Sequence, residues 1–538
     1  MAQVVVVGAG PTGLTLACLL RANGVDVTVV DCLEAPARLA KAMVLWSRSL
    51  EILDEIGVAG PARDSGVPLR RARYLDGDRV VAAIRTDAVP DTRWQPVILP
   101  QDILEGLLRA RFERLGGTIE WGRTVTGVRL TSDRSGRDDS GPGGVQLDCA
   151  GAGGDTTVMD AAFVAGCDGL RSAVREGAGI EWSSGTPYEE VFQLGDVDAD
   201  TTLDRTQVHH FLGRHGVSVA IPMPGERWRV VGYLDGDEGP DRPCASDLER
   251  LLTECGHRAT SIGAVHWSGR FRVTRRLAET FRAGPVFLAG DAAHVHSPAG
   301  GQGLNTGIQD AHNLAWKLAF VVKGQAGEQL LDTYTAERRP IAKTILRVTE
   351  LQDSRLFGAR SRVSRGLRNT VLGALAGAGV LERRLIPDLA QMLVSYRRSS
   401  LSVGKAPAGS VFRPGRRVAD VEQLLLGHDA ATRVLPACAA PAITVLAVPG
   451  RRPVGDLAAV RAVTDRFSSV VRLHVLAEPL PDVPAPRRGG YLLGVRPDGH
   501  VGYRGPLAAT PAFRAWLDDG VALVPDVRTD DRNLVRVE

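Results

Sequence analysis

The chain has 538 residues, 44% of them hydrophobic and 24% charged, and its 65 basic and 62 acidic side chains leave a formal charge of +3. Such a composition belongs to a globular protein of two or three domains and offers no case for a nucleic-acid partner or an anionic membrane surface. No apolar run reaches the roughly 18 residues of a membrane span, and seven scattered cysteines without a C-x-x-C pair fit a reducing cytoplasm, with neither a disulfide framework nor a metal site.

Val4-Val5-Val6-Val7 reads as a short buried strand with no basic leader or cleavage signal before it, so a cytoplasmic chain is expected. Gly8-Ala9-Gly10-Pro11-Thr12-Gly13 follows at once. A helix carrying Leu14, Leu16, Ala17, Leu19 and Leu20 comes next, then a second strand over 25–30 that ends in Asp31. In such a unit the glycines allow a tight turn, close approach of backbone to a pyrophosphate, and close helix–strand packing. An acid ending the second strand accepts from ribose hydroxyls. The motif predicts dinucleotide binding and by itself does not separate FAD from NAD. Residues 41–53 read as a helix closing before Gly57, on which Lys41 and Arg48 suit a solvated face as well as a functional one. Gln101 opens a further helix, as a cofactor ligand or as a cap. Strands are predicted over 119–121, 125–130 and 145–149, with the polar stretch 132–144 as a solvated hairpin tip. Another strand, 163–167, delivers Asp168-Gly169-Leu170-Arg171-Ser172-Ala173-Val174-Arg175, a second junction of strand, acid and helix.

Between 191 and 273 the pattern turns antiparallel. Residues 208–212, 217–223 and 228–234 read as strands, Pro224-Gly225-Glu226-Arg227 as a turn, and residues 70–74 and 94–98 are expected to join them. A sheet inserted into a nucleotide domain can roof a pocket, and His209, Phe211, Val219, Ile221, Trp228 and Val230 are candidates for its lining. Alternation does not tell which face looks inward, and half of the six are expected to be packing residues. Beyond the sheet, a strand over 284–289 leads into Gly290-Asp291-Ala292-Ala293-His294 and on through Gly300-Gly301-Gln302-Gly303 to Gly307. A long helix, marked by Ile308, Ala311, Leu314, Ala315, Leu318, Ala319 and Val322, opens out of these glycines. A helix start carries unpaired N–H groups and about half a positive charge, which suits an anion or an electron-rich carbonyl. Residues 345–400 read as helical. Gly373-Ala374-Leu375-Ala376-Gly377-Ala378-Gly379 has no strand before it, so it is expected to be a close-packed helical stretch and not a second nucleotide loop. A new unit begins at Gly415-Arg416-Arg417-Val418, with strands over 443–448, 470–475, 491–496 and 501–504 and a hairpin at Arg496-Pro497-Asp498-Gly499-His500-Val501.

With residues 8–13, 168–175 and 290–307 in that order, the chain resembles the FAD-dependent aromatic hydroxylases, the single-component flavoprotein monooxygenases related to para-hydroxybenzoate hydroxylase. The third motif also matches in its continuation through Asp310 and Asn313-Leu314-Ala315-Trp316-Lys317-Leu318, and the three span residues 1 to about 345. The resemblance implies an α/β fold with an FAD-binding Rossmann-like (GR2-type) domain, 1–180 with 270–345. Into it is inserted an antiparallel β-sheet substrate domain, 181–269, to which 70–100 contributes. A helical connector, 346–401, and a thioredoxin-like C-terminal α/β domain, 402–538, complete the chain. Lacking C-x-x-C, that last domain is expected to be structural or dimer-forming instead of redox-active. By the same resemblance Gly8, Gly10, Pro11, Thr12 and Gly13 cradle the FAD pyrophosphate, and Asp31 with Cys32 holds the adenosine ribose. Gln101 contacts the flavin cofactor, the backbone of Val125 meets adenine, and Asp168 supports both FAD and pyridine nucleotide. Gly290 and Asp291 reach the ribityl chain, while Pro298, Gly300, Gly301, Gly303, Leu304 and Asn305 line the isoalloxazine. The family carries Glu-Arg where Asp31-Cys32 stands and Arg-Ala where Lys41-Ala42 stands. Asp31 therefore shortens the reach to the ribose, and Lys41 loses the planar guanidinium fork.

The activity implied is FAD-dependent, NAD(P)H-consuming monooxygenation of an electron-rich aromatic, polycyclic and polyketide-like, through a flavin C4a-hydroperoxide formed with O2. FAD is expected to be tightly bound and NAD(P)H a transient visitor, because no second dinucleotide fold is legible. No general base is assigned; Arg48, His209, Phe211, Ile221 and Trp228 are the substrate-pocket candidates. The partner expected is a small aromatic molecule, with no metal, nucleic acid or membrane, and a homodimer is compatible. Baeyer–Villiger oxygenation on the same scaffold is the alternative. A non-catalytic FAD-fold binding protein is disfavoured by the intact 290–307 run, and a halogenase by the lack of a W-x-W-x-I-P stretch.

Overall fold

The computed structural model describes residues 2–36, 43–90, 92–131, 144–151, 153–184, 187–234, 236, 238–297, 299–352, 361–407, 409–418, 441–450, 457–476 and 489–526. They fall into two units: Met1–Arg21, Asp26–His312 and Arg338–Leu393 form the first, and Ala22–Val25, Asn313–Glu337 and Val394–Glu538 the second.

At the centre of the first unit five strands lie in parallel. Their spatial order is Val286–Leu288, Thr156–Gly166, Ala2–Val7, Val27–Asp31 and Thr118–Trp121. Ala2–Val7 sits in the middle, with Val5 opposite Val164 on one side and Thr28 on the other. A parallel strand covered on both faces needs an unbroken apolar run, which is why four consecutive valines stand here, three of them fully buried. The helix Pro11–Ala22 begins on a proline, whose missing N–H costs nothing at a first helical position, and buries Leu14, Leu16, Ala17 and Leu20. An antiparallel hairpin, Arg123–Leu130 with Val145–Gly151, extends the sheet from Thr156–Gly166. Residues 132–143 of the expected hairpin tip lie outside the described residues.

The inserted sheet has seven strands in the order Ser261–Thr274, Pro187–Asp200, Arg227–Leu234, Gly216–Pro222, Gln207–Leu212, Arg71–Asp76 and Arg79–Arg85. Arg71–Asp76 joins it as expected, parallel to Gln207–Leu212. The stretch 94–98 does not. Only Val97–Ile98 is extended, and it pairs with Val44–Leu45 and Val67–Pro68 in a separate small sheet. Pro96 and Pro100 bracket those two residues, and proline cannot donate to a ladder, so the strand stops at two. The same pairing corrects the reading of 41–53 as one helix: Val44–Leu45 is strand and the helix is Ser47–Glu55.

Register sorts the faces of the large sheet. Phe211, Ala220, Trp228, Val230 and Val197 share one face and pack against Leu248, Leu251 and Leu252 of the helix Ala245–Glu254. Burying each leucine contributes about 1.5–3 kcal/mol. Gly195 makes room for this helix, since a Cβ there would lie 2.4 Å from Leu248 Cδ1. Val208, Val219 and Ile221 point the other way, into a cluster with Met43, Val44, Leu69, Ile98 and Met223. The helix Arg362–Gly377 lies along the sheet edge, where Gly373 would bring a Cβ to 3.1 Å from the Val81 carbonyl oxygen. Gly377 has open space, so the close packing expected of this glycine-rich stretch holds at Gly373 and not at Gly377.

The second unit is built on a five-stranded sheet in the order Val403–Gly404, Val501–Pro506, Tyr491–Val495, Ile443–Val448 and Val471–Val475. Ile443–Val448 and Val471–Val475 are parallel, joined through the helix Leu457–Thr464, and the other two long strands form an antiparallel hairpin. Trp516 fills the core against Tyr503 and Phe513, and Gly494 and Gly502 leave it space: a Cβ would fall 2.7 and 2.4 Å from its ring.

Beneath the hairpin turn lies a fully buried ionic cluster. Glu337 accepts from Arg496 Nη2 at 2.9 Å, Lys317 Nζ at 2.8 Å, Asn313 Nδ2 at 2.7 Å and Ser399 Oγ at 2.6 Å, and Arg496 also pairs with Asp498. Burial alone would raise the Glu337 pKa, but the charges of Arg496 and Lys317 outweigh it and hold the carboxyl well below its usual range. Burial pulls Lys317 down to about 8 against the opposing charge of Glu337.

Candidate functional site

Four chain segments far apart in sequence meet where the parallel strands end. Ala2–Val7 delivers Gly8, Val27–Asp31 delivers Asp31, Thr156–Gly166 delivers Asp168, and Val286–Leu288 delivers Gly290. Ligands of parallel α/β sheets bind at this edge, where helix starts and loops converge. Gly8 holds φ +106° and lies so close to the next strand that a Cβ would sit 2.4 Å from the Cys167 oxygen. Gly13 would meet the Gly8 oxygen at 2.0 Å, whereas nothing lies within 4 Å of a Cβ on Gly10. The middle glycine thus faces an open cradle at the start of Pro11–Ala22.

Asp31 reaches back to this loop, accepting from Ala9 N–H at 2.7 Å and from Leu33 N–H at 2.8 Å. Each carboxylate oxygen retains a second lone pair for a hydroxyl donor. Cys32 beside it is exposed, and partial burial raises its thiol pKa. Asp168 Oδ2 accepts from Val174 N–H at 3.2 Å, while Oδ1 is buried with no hydrogen-bond partner among the described residues. Burial pushes the Asp168 pKa up, against opposing hydrogen bonds from Ser172 and Val174. Gln101 is the first residue of the helix Gln101–Arg114 and donates to Glu105 Oε1 at 2.8 Å. Val125 is buried in Arg123–Leu130 opposite Cys149. Lys41 and Pro298 lie outside the described residues.

The loop after Val286–Leu288 turns at Gly290, φ +61°, with Asp291 exposed beside it. Thr12 packs into this turn: a Cβ on Gly290 or on Gly307 would lie 2.7 or 2.2 Å from its hydroxyl. One buried carboxylate organises the loop. Asp310 Oδ2 accepts from Gly290 N–H at 3.1 Å and from His294 Nε2 at 2.6 Å, and Oδ1 accepts from Arg338 Nε at 2.7 Å. Arg338 extends to the Thr306 carbonyl at 3.2 Å. Burial would raise the Asp310 pKa, but Arg338 and His294 overcome it and the carboxyl is held below its ordinary value. A depressed carboxylate stabilises the fold above its unfolded pKa and loses that contribution as pH falls through the folded one. Acidification from about pH 5 to pH 2 should therefore erode the melting temperature, and Asp310→Asn should flatten that acid slope. An identical slope in the variant would show that Asp310 does not carry it.

His296, two residues on, is neutral at physiological pH because burial drops its pKa to about 4. Its Nδ1 bonds the Ser297 carbonyl at 3.1 Å, and Nε2 is buried without a partner among the described residues. Gly300 and Gly301 follow in succession with φ +71° and +64°, a left-handed pair open to glycine. Asn305 ties this turn to the strand Val44–Leu45: it accepts from Trp46 N–H at 2.9 Å and donates to the Val44 and Gly301 carbonyls at 2.8 and 2.7 Å. Gly303 and Leu304 lie in the first turn of the helix Gln302–Val322.

The pocket candidates divide. Phe211 and Trp228 belong to the core under Ala245–Glu254, and His209 shares their face, bonding the Asp204 carbonyl at 3.0 Å. Ile221, with Val219, lies on the face that meets Val44, next to Asn305. Arg48 is buried on Ser47–Glu55 and pairs with Glu51 at 2.9 Å. Sequence reading passed over Asp310, Arg338, Trp46 and Gln391. An acid on a helix whose Ile308, Ala311 and Leu314 recur at core spacing was a signal for Asp310, since a buried charge must be paired.

The lining fits an elongated dinucleotide: an open cradle at Gly10 and two helix starts for its anionic centre, and, for its hydroxyl and N–H donors, the buried Asp168 Oδ1 and His296 Nε2, which have no partner among the described residues. Comparisons with known proteins agree. Residues 1–349 match the FAD binding domain family. A 6-methylpretetramide 4-monooxygenase from Streptomyces rimosus is 32% identical, across 97% of this chain and 94% of its own. The solved structure of an anhydrotetracycline hydroxylase from Streptomyces rimosus is 29% identical with a TM-score of 0.74, covering 96% of this chain and 98% of that one. A ternary complex of aklavinone-11 hydroxylase with FAD and aklavinone gives 25% identity and a TM-score of 0.75 over 97% and 99% of the two chains.

Proposed function

The chain belongs to the FAD-binding-domain family of flavin-dependent aromatic monooxygenases, and from that premise we propose that it hydroxylates a flat, polycyclic, polyketide-like phenol at the expense of NAD(P)H and O2. The observation that carries the substrate class is the apolar sheet face. Val219 and Ile221, each half-buried, stand with Val208 and Met223 beside Val44, one hydrogen bond from Asn305. An apolar wall of this kind suits a fused ring system, and the relatives named above act on substrates of that kind by their names.

In this reading the Gly10 cradle and the start of Pro11–Ala22 take the FAD pyrophosphate, Asp31 the ribose, Asp291 the ribityl chain, and Gly300 through Asn305 the isoalloxazine. Bound there, FAD supplies two-electron reduction and activation of dioxygen, chemistry that side chains lack. The chain's own contribution is placement. Backbone N–H groups at the start of Gln302–Val322 would face the ring on which negative charge grows, and the apolar wall would exclude water from the substrate. Asp168 and the neutral His296 offer acceptors without adding a cation. Phe211, Trp228 and His209 serve the fold of the sheet, and Ile221 and Val219 meet the substrate. For the tail we propose a thioredoxin-like domain without redox function; the support is its strand order, two parallel strands around a helix followed by an antiparallel hairpin.

The test is turnover. Purified protein should be yellow, should consume NADPH faster when a polycyclic phenol is added, and should yield a product heavier by one oxygen with the ring skeleton kept. A product with oxygen inserted into a ring C–C bond, as a lactone or the opened ring its hydrolysis gives, would make it a Baeyer–Villiger oxygenase, and a colourless protein that FAD cannot reconstitute would overturn the assignment.

A further inference from the structure

Gln391 is a strained residue with an unusual set of partners. It follows the helix Ile386–Leu389 with φ +56°, a left-handed conformation that helix ends normally reserve for glycine or asparagine. Its side chain is 3% exposed and fully engaged. Nε2 donates to Gln302 Oε1 at 2.6 Å and Thr306 Oγ1 at 3.0 Å, and Oε1 accepts from Gln309 Nε2. Gln302 in turn donates to the Leu389 carbonyl at 2.9 Å and to the Gly300 carbonyl at 3.2 Å. That same Gly300 oxygen accepts from Trp46 Nε1 at 2.9 Å. The two glycines are also gripped sterically: a Cβ on Gly300 would lie 3.0 Å from Leu389 Cδ2, and one on Gly301 3.2 Å from Val44 Cβ.

A trans peptide points its C=O and N–H in opposite directions. Two donors on the Gly300 oxygen therefore fix the direction of the Gly301 N–H, on the side away from Trp46 and Gln302. A glutamine tolerated at a left-handed position, with every polar side-chain atom spent on this network, is explained by that fixation and not by local backbone preference. We propose that Gln391 is a positioning residue: through Gln302 it sets the Gly300–Gly301 peptide and so the reduction potential of the flavin bound against it. The inference rests on FAD occupying the site as proposed above. A donor held rigidly toward a ring that becomes anionic on reduction stabilises the reduced form and raises the potential.

Gln391→Asn keeps a residue that accepts left-handed backbone but falls one methylene short of Gln302; Gln391→Gly relaxes the backbone outright and removes the side chain. Both should fold and bind FAD, with a midpoint potential more negative than the parent, visible bands displaced toward those of free FAD, and about a tenfold weaker FAD dissociation constant. Trp46→Phe, which removes the other donor on the same oxygen, should move the potential in the same direction. Gln391→Gly with parental potential and spectrum would overturn the proposal, as would a Trp46→Phe shift of opposite sign. A parent protein that does not bind FAD would instead sink the reading of the site, and the potentials could not be mistaken for it.

Discussion

Gly10→Val should give a folded protein that purifies without flavin. The three glycines of the first loop are not equivalent. Gly8 and Gly13 are packed against neighbouring backbone, at 2.4 Å from the Cys167 oxygen and 2.0 Å from the Gly8 oxygen for an added Cβ. Substitution at either should damage the sheet itself. Gly10 has no atom within 4 Å of that position, so the valine methyls fit in the free protein and would occupy the volume proposed for the pyrophosphate. FAD affinity should fall by at least about a hundredfold, ~2.8 kcal/mol, with circular dichroism and the melting temperature of the flavin-free protein close to the parent. Titration with FAD followed by flavin fluorescence reads the outcome. Native flavin content in Gly10→Val would show that the cradle is not where the pyrophosphate lies.

Glu337→Gln should destabilise the second unit severely while an exposed counterpart changes little. Glu337 is the common acceptor for Arg496, Lys317, Asn313 and Ser399, and both cations beside it are fully buried. Neutralising the carboxylate leaves Asp498 to face both Arg496 and Lys317, and removal of one partner from a buried pair costs about 3–5 kcal/mol. Lys317 can escape part of this cost by deprotonating, since burial already draws its pKa to about 8. The loss should therefore be smaller at pH 9 than at pH 7. Urea unfolding followed by tryptophan fluorescence suits the measurement, because Trp316 lies 5.4 Å from the Arg496 guanidinium. Asp26→Asn, at a surface pair with Arg21 in which the aspartate is 63% exposed, should cost less than about 1 kcal/mol. Equal losses in the two variants would mean that the cluster does not bear the stability assigned to it.

How much of this was legible in the chain depended on whether the information was local. The strand–glycine–helix units at Gly8 and Gly290 carry their own punctuation, so periodicity and glycine spacing placed them within a residue or two. Strand pairing is not local. Val97–Ile98 contains the same β-branched residues as a strand of the large sheet, and only the flanking prolines and the competing partner Val44–Leu45 decide where it goes. The orientation of the large inserted sheet was hidden for a related reason: alternation gives two faces, and the helix Ala245–Glu254 chooses between them by burying Phe211 and Trp228. The supports of the glycine loop were the least legible part. Gln391 reaches Gln302 from a helix end 89 residues on, and nothing in its neighbours announces a left-handed glutamine.

The edge at which four strands deliver their loops also has a consequence for how the chain comes to exist. Ala2–Val7 is made before both of its neighbours, Val27–Asp31 on one side and Thr156–Gly166 on the other, and Val286–Leu288 joins only after the whole inserted sheet has been made. Long loops must close before these contacts repay the cost, so the last parallel strand waits on the insertion. Until then the edge of Thr156–Gly166 at Val164, Ala165 and Gly166 stands unpaired, a state prone to association with other chains. A ligand that bridges Gly10, Asp168 and Gly290 binds only the completed edge and draws the equilibrium toward it by mass action. If FAD binds there as proposed, its supply during synthesis should govern soluble yield as well as activity, as a final tie across the edge.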